Sequence, residues 1–580
     1  GIARAFVTNL GDTGHQGAST ITQQYVRNSL AERGYLEGDA DQVSAATEQT
    51  TERKLREVKY ALALEKTLSK DEILTGYLNI ASFGPITYGV EAASQRYFSK
   101  SASELDYLES ALLAGLVQSP VQYDPLVHPD TAQNRRDTVL ATMLKQGVIT
   151  QEEFDRGVET TVEAMLNPTV SSEGCSGAES SKAYFCDFVL AQFLDDPTFG
   201  ATRIERERVL KTQGITIRTT MDSAKQAAAY TSLTNTIPVG DASGLNDALI
   251  SLDPRSGRVL SMAQNTTYGI ESGETMSNYS ADGNFQVGST FKVFTLLQWF
   301  KEGHSAYETV GSSNTYYPNG SFKCDGRAIV TEGYQVNDLA GKTGTMNVVR
   351  ATGQSVNQAF VNMASRVDFC SIFDTAYEMG ITEDGEVPSP FPANILGSVS
   401  ASPMQMASVF AAIANSGQQC TPQSIESVTD RNENVLKEFS ADCKQVVTAE
   451  VANKTAALLT ASAGQYYTST RLSEGRPFAA KSGTTDGHAN TWLTGFTPSV
   501  VTSAWVGHGA NSSQEVSGVT INGTYYGDIY GETFVGQNIW APYMSQILAG
   551  TPVESVSNAN IGASSPKGAT PAPSPSPHAH

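Results

Sequence analysis

The spacing of apolar positions divides this chain before any single residue is considered. From residue 1 to about 165 helical periodicity dominates. It is clearest between Thr51 and Asn79, where Leu55, Val58, Leu62, Leu64, Leu68, Ile73, Leu74 and Leu78 recur at three- and four-residue steps. Ser69 followed by Glu72 has the form of a capping box and predicts that a second helix starts inside that stretch. The first domain, residues 1–165, is therefore expected to be all helical. Residues 166–240 read as an irregular linker region, with Pro168, a Ser/Gly-rich stretch at 171–181 and a β-like segment from Ile215 to Thr219. The pattern then becomes mixed. Leu249 to Leu252 and Arg258 to Met262 flank the turn-forming Asp253-Pro254-Arg255-Ser256-Gly257, which predicts a hairpin. An α/β domain is expected over 241–550. Residues 551–580 are rich in Ser, Pro and Ala and are expected to stay disordered, as a flexible spacer more than a partner-binding segment.

A chain of 580 residues is too long for one hydrophobic core, and 40% apolar with 17% charged residues is the composition of a folded, multidomain protein. With 39 basic against 60 acidic residues the net charge is −21, which excludes a broad basic footprint for nucleic acid. Local Arg and Lys clusters can still hold an anionic substrate, because screening confines a field to about 10 Å at ordinary salt. The six cysteines form no C-x-x-C pair and no His-associated set, so zinc is poorly supported and disulfides are favoured over buried thiols. Pairing neighbours closes the shortest loops, yet the spacing leaves every connectivity open. The sequence contains no run of about 18 apolar residues that could span a bilayer, and no signal peptide opens it. Gly1 to Ala5 reads as the middle of a helix, so a native N-terminal portion is expected before it.

Candidate chemistry begins at Ser289. Gly288 to Leu297 is apolar on most faces, as a core helix would be, and a spacing of three puts Ser289 and Lys292 on one side of it. A serine hydroxyl becomes a nucleophile when an adjacent base takes its proton, and lysine can be that base once its own proton is lost. A second cation and partial burial would lower its affinity for that proton, and Lys481 is the candidate cation. Ser355 and Asn357 would relay a proton and grip the acyl chain. Ser482 and Thr484 would hold a substrate carboxylate, with Thr485 beside them and Gly483 letting the substrate backbone lie close. The order S-x-x-K, S-x-N, K-S-G is that of penicillin-binding proteins and class A β-lactamases. Lys342-Thr343-Gly344 is a better literal K-T-G, but it lies only 13 residues before Ser355. Lys481 instead opens an expected hairpin through Trp492 to Pro498 and Ala504 to Gly507. The bland alternatives are a helix-cap serine at 289 and an exposed loop lysine at 342.

With these motifs stand Gly17-Ala18-Ser19-Thr20-Ile21-Thr22-Gln23-Gln24, Arg53 to Glu57, Glu72 to Asn79 and Gly89 to Lys100. Over nearly its whole length the chain resembles the class A penicillin-binding proteins, the bifunctional enzymes of bacterial cell-wall synthesis. The resemblance implies a lysozyme-like all-α glycosyltransferase domain followed by a penicillin-binding transpeptidase domain, an antiparallel sheet flanked by helices. It implies polymerisation of lipid II, with Thr20, Gln24, Arg27, Arg53 and Lys54 binding substrate, pyrophosphate against the three cations, and Glu57 as a catalytic residue. Arg53 and Glu57 also form an ordinary helical pair. It implies Ser289, Lys292, Ser355, Asn357 and Lys481 as the acyl-transfer residues, an oxyanion hole at the N–H groups of Ser289 and Thr484, and β-lactams as ligands. Cell-division or elongation proteins are further expected partners. The full-length form is expected to be anchored in the bacterial membrane, working on its outer face. No cofactor is expected for transpeptidation, and a divalent metal for glycosyl transfer is left open. The family's acidic block with its catalytic glutamate would precede Gly1, so this chain is expected not to polymerise glycan. Ala18 replaces a usual glycine and Asn490 a frequent aspartate. A D,D-carboxypeptidase or β-lactamase-type hydrolase is the nearest alternative, although no separate glutamate base is evident after Asn357. A non-catalytic scaffold is disfavoured by the retention of every motif.

Overall fold

The computed structural model describes residues 19–37, 39–48, 50–84, 87–168, 174–270, 273–330, 332–336 and 344–562. Expectations for Gly1 to Ala18, for Lys342 and Thr343, and for the tail beyond 562 lie outside the described residues. The chain separates into two compact units, Gly1–Glu173 and Gly174–His580.

Among the described residues of the first unit the helices of eight or more residues are α1 (Ile21–Glu37), α2 (Ala40–Thr47), α3 (Thr51–Thr67), α4 (Lys70–Ile80), α5 (Val90–Phe98), α6 (Tyr107–Leu116), α7 (Pro129–Lys145) and α8 (Gln151–Glu159). Ser69 and Glu72 cap each other reciprocally and start α4 where the sequence places it. A small antiparallel strand pair, Ser82–Gly84 with Thr87–Tyr88, adds to the helices. Phe83, Tyr97, Leu112 and Leu116 make the core. The face that α3 buries is not its leucine-rich one. Arg53, Glu57 and Ala61 point inward, whereas Leu55 and Leu62 are 67% and 61% exposed. An inward arginine and glutamate one turn apart satisfy each other, which makes that burial affordable.

The linker expected over 166–240 is corrected by the second unit. Its residues 183–236 fold as α9 (Ala183–Asp195), α10 (Arg203–Thr212), a strand at Thr216–Thr219 and α11 (Ser223–Thr236). Phe185, Val189 and Phe193 of α9 join one core, while Ala228, Ala229 and Leu233 of α11 join the other. Turn-rich composition ends near residue 182, and the strand pairs with Ile425–Thr429, a partner that local sequence could not reveal. The tail is corrected likewise at its start. Ile561 is 9% exposed, and its carbonyl accepts from the Ala306 N–H at 2.9 Å.

At the centre stands an antiparallel sheet of β1 (Asn246–Leu252), β2 (Val259–Gln264), β3 (Ala479–Thr484), β4 (Asn490–Thr497) and β5 (Val500–Gly507). The spatial order is β3-β4-β5-β1-β2, so β3 is an edge strand. Both expected hairpins are present, β1 with β2 and β4 with β5. Alternation sends Trp492, Phe496 and Trp505 to one face and Leu493, Ala504 and Val506 to the other. The apolar residues of helix α12 (Lys292–Lys301) belong to the core on the first face, and α16 (Pro403–Ala414), further along the chain, packs directly against that face. Between them in sequence lie α13 (Val348–Gly353), α14 (Asn357–Ala364) and α15 (Cys370–Glu378). On the second face pack α11 and the helical stretch Gly531–Trp540. After α16 comes α17 (Ala449–Tyr466). Disulfides join Cys175 to Cys186, Cys324 to Cys370 and Cys420 to Cys443.

Candidate active site

Ser289 lies in the tight turn Gly288–Phe291 that leads directly into α12, and its position depends on glycines from distant segments. A Cβ on Gly483 would stand 2.5 Å from the Val287 carbonyl, and one on Gly397 would stand 1.8 Å from that of Gly288. The turn is thus wedged between β3 and the segment ending at Gly397, where the Gly288 N–H donates to the Gly397 carbonyl at 3.0 Å. The bare Cα of Gly483 thus admits the turn that carries Ser289.

Lys292 is fully buried, and its Nζ donates to the Ser355 carbonyl (2.7 Å), the Ser355 Oγ (3.2 Å) and Asn357 Oδ1 (2.7 Å). Ser355 has φ of +54°, a left-handed conformation that costs a non-glycine residue about 1–3 kcal/mol. That turn between α13 and α14 lets its carbonyl and hydroxyl face Lys292 together. From the other side the Nζ of Lys481, on β3, donates to Ser355 Oγ at 2.9 Å and to the Ser482 carbonyl at 2.7 Å. One serine hydroxyl therefore stands between two buried amines. Burial pulls the Lys481 ammonium down to about 7, because charge loses its hydration inside the protein. Lys481 is thus poised to titrate near neutrality.

Ser289, Ser355, Asn357, Ser482, Thr484 and Thr485 all line one cavity of about 600 Å³. The S-x-x-K, S-x-N and K-S-G motifs, dispersed over nearly 200 residues of chain, meet there. Ser482 is braced by Tyr467: its N–H donates to the Tyr467 OH at 2.7 Å, and that hydroxyl donates to Ser482 Oγ at 3.2 Å. Burial pushes the Tyr467 phenol up to about 12. Thr484 Oγ1 accepts from the Gly531 N–H at 3.2 Å. Asn490, nearly fully buried, accepts from the Trp505 indole at 3.0 Å and donates to the Ser512 carbonyl at 2.8 Å. A carboxylate would have no proton for the second bond, so the amide suits this site. Sequence reasoning missed Tyr467, Tyr530, Glu532 and Gly397, which line the cavity from segments carrying no motif, and Asp486, which directly follows one.

In the first unit Arg53 and Glu57 form a buried ion pair, and the Arg53 Nε also reaches the Glu48 carbonyl. Lys54, on the next helical position, is exposed, as is Thr20, while Gln24 and Arg27 are half-buried. Gln24 Oε1 accepts from the Tyr77 OH at 3.3 Å, and the Arg27 charge acts on the same phenol. Among the described residues no group of three or more His, Cys, Asp or Glu side chains gathers to hold a metal ion. Nor is any helix among them long and apolar enough to cross a membrane.

Comparison with known proteins agrees with this architecture. A transglycosylase family model matches residues 1–144, and the penicillin binding protein transpeptidase domain matches residues 248–522. Penicillin-binding protein 2D of Bacillus subtilis is 31% identical over 553 residues, covering 93% of this chain and 71% of that protein. Penicillin-binding protein 1A of Mycolicibacterium smegmatis is 29% identical, with 96% and 67% covered. The solved PonA1 protein of Mycobacterium tuberculosis in complex with penicillin V superposes with a TM-score of 0.54 at 25% identity, covering 68% of this chain and all of that one. Penicillin-binding protein 1A of Haemophilus influenzae shares the fold over 96% of this chain and 93% of its own, with a TM-score of 0.65 at 18% identity. Carrying both domains in order, with the converged serine and lysine site in the second, the chain belongs to the class A penicillin-binding proteins, which polymerise the glycan of bacterial peptidoglycan and cross-link its stem peptides.

Proposed function

We propose that Ser289 attacks the D-Ala-D-Ala carbonyl of a stem peptide while Lys292 takes its proton. The carbonyl oxygen becomes an oxyanion held by the Ser289 and Thr484 N–H groups. Ser355 relays a proton to the departing D-alanine nitrogen. Lys481, in its protonated form, supplies that proton and, with the Ser482 and Thr484 hydroxyls, attracts the terminal carboxylate. Asn357 orients Lys292 and the acyl chain, and Thr485 completes the strand end. A second stem's amine then takes the acyl group from Ser289. β-Lactams mimic the dipeptide and trap the same ester.

The observation that carries this reading is the Ser355 hydroxyl bonded to both amines at the cavity into which Ser289 opens. Intact-mass measurement after benzylpenicillin, followed by peptide mapping, is expected to find one adduct on Ser289. Ser289→Ala is expected to remove it. An adduct on another residue, or equal labelling of the variant, contradicts the assignment.

In the first unit, Thr20, Gln24, Arg27, Arg53 and Lys54 would bind the lipid II pyrophosphate and sugars, with Glu57 beside them. Cations there offset charge developing on the departing pyrophosphate. Arg53 must release Glu57 to take part. A working place on the outer face of the bacterial membrane fits the disulfides, which persist in oxidising compartments.

A further inference from the structure

Ser482 and Thr484 stand two residues apart on the edge strand β3, so their side chains share one face of it, and both line the cavity. Each hydroxyl already accepts a hydrogen bond from behind. Ser482 Oγ accepts from the Tyr467 OH at 3.2 Å, and Thr484 Oγ1 accepts from the Gly531 N–H at 3.2 Å. The direction of the second bond is fixed, because a backbone N–H only donates. That of the first is fixed one step further back. The Ser482 N–H donates to the Tyr467 oxygen at 2.7 Å, which leaves the phenol proton to point at Ser482 Oγ.

Tyr467 is held in this pose from several sides. It is 3% exposed, its ring belongs to the core on the second face of the sheet with Leu472 and Phe534, and its own N–H closes α17 on the Ala463 carbonyl. The chain just after it is tied to the loop that serves Thr484. Glu532 Oε1 accepts from the Ser469 and Thr470 N–H groups at 2.8 and 3.0 Å, and Thr470 Oγ1 donates to the Glu532 carbonyl at 2.8 Å. Because burial holds the phenol far above its usual range, its proton stays in place at neutral pH.

A hydroxyl carries one proton, and one whose oxygen already accepts from behind presents that proton forward. Ser482 and Thr484 thus face the cavity as a pair of donors, which suits a carboxylate, an acceptor at both oxygens. Resting on the reading of these hydroxyls as the carboxylate anchor, we infer that Tyr467 is a positioning residue that sets the polarity of the Ser482 hydroxyl, so that the site selects a terminal carboxylate over a neutral group in its place. Phenol, serine hydroxyl and carboxylate form a chain in which each bond polarises the next. Without the phenol oxygen, the Ser482 proton is free to turn away and bring an oxygen lone pair toward the carboxylate. None of the three motifs supplies this group, since Tyr467 lies 15 residues before Ser482 on another element.

The test measures, on the whole chain, the second-order rate of acylation by benzylpenicillin and by its methyl ester, which lacks the charge. The parent, Tyr467→Phe, Ser482→Ala and the double variant are compared by the ratio of acid to ester rates. A general disturbance of β3 or of the Thr484 N–H lowers both rates together and leaves that ratio alone. Tyr467→Phe is expected to lower the ratio roughly tenfold, through partial loss of a charge-assisted hydrogen bond. In the Ser482→Ala background no hydroxyl remains to be oriented, and the same substitution is expected to leave the ratio unchanged. Equal loss with both ligands, or an equal fall in the ratio with and without the Ser482 hydroxyl, overturns the inference. Fluorotyrosine in place of Tyr467 keeps both bonds and donates more strongly, so it is expected to raise the ratio. That measurement decides the matter if Tyr467→Phe misfolds, and an unchanged ratio then counts against the inference. Failure of the underlying reading looks different: Ser482→Ala by itself would leave the ratio at the parental value.

Discussion

Replacing Lys481 by arginine separates two roles that a buried amine between Ser355 and Ser482 can play. In the parent, burial holds the ammonium at about 7, so half of the molecules carry the charge at pH 7 and about 1% at pH 9. If the charged form supplies the proton and draws in the carboxylate, the second-order rate of acylation by benzylpenicillin falls roughly 50-fold between those two pH values. That rate reports the free enzyme, so the inflection is expected near 7 without correction for bound ligand. Arginine stays charged throughout the range. Lys481→Arg should therefore be slower at pH 7, because its planar group cannot reproduce the bonds at 2.9 and 2.7 Å, but flat up to pH 9. Stopped-flow acylation with a fluorescent penicillin measures both profiles. A parent rate that instead rises through pH 7 to a plateau would refute the reasoning and make neutral Lys481 the base.

Gly483→Ala places a methyl 2.5 Å from the Val287 carbonyl, which forces the Ser289 turn off β3. A displacement on the order of 1 Å predicts an acylation rate about 100-fold lower, measured with the same penicillin, and an unchanged rate would show that the turn can move freely. Asp247, fully buried on β1, is held well above the usual carboxylate range by burial, which outweighs what the neighbouring backbone N–H groups of Asn265 and of Asp247 itself offer. Its contribution to stability is complete below the unfolded carboxyl's titration near pH 4 and is lost as pH rises toward the folded value. Asp247→Asn should then gain on the parent by up to about 1.4 kcal/mol per pH unit across that window, whatever constant offset the amide brings. Tryptophan fluorescence reports this unfolding selectively, since all four tryptophans are buried in the second unit, and parallel pH curves would contradict the prediction. Non-reducing peptide mapping should recover Cys175 with Cys186, Cys324 with Cys370 and Cys420 with Cys443, and any crossed pair would contradict the packing around them.

Much of this protein was legible in one dimension because the relevant physics is local. Helical periodicity and the Ser69–Glu72 cap are read within a few residues, and so are the β1–β2 turn and the spacing of Ser289 and Lys292. Motif order also carried information, since Lys481 outranked Lys342 on the hairpin that follows it. What failed was whatever depended on a distant partner. Residues 183–236 read as a linker because the strand at Thr216–Thr219 is completed by Ile425–Thr429 and α11 by the rear of the sheet. Helical spacing marked α3 but not the side it buries, which is settled by a polar pair satisfying itself inside. The amino-acid sequence by itself determined which groups could do acyl transfer. Only the tertiary structure decided that Ser355, in its left-handed turn, stands between Lys292 and Lys481, and that Gly483 admits the turn carrying Ser289. Reactivity depends on ångström distances and on exclusion of water, and both arise where segments remote in the chain close on one another.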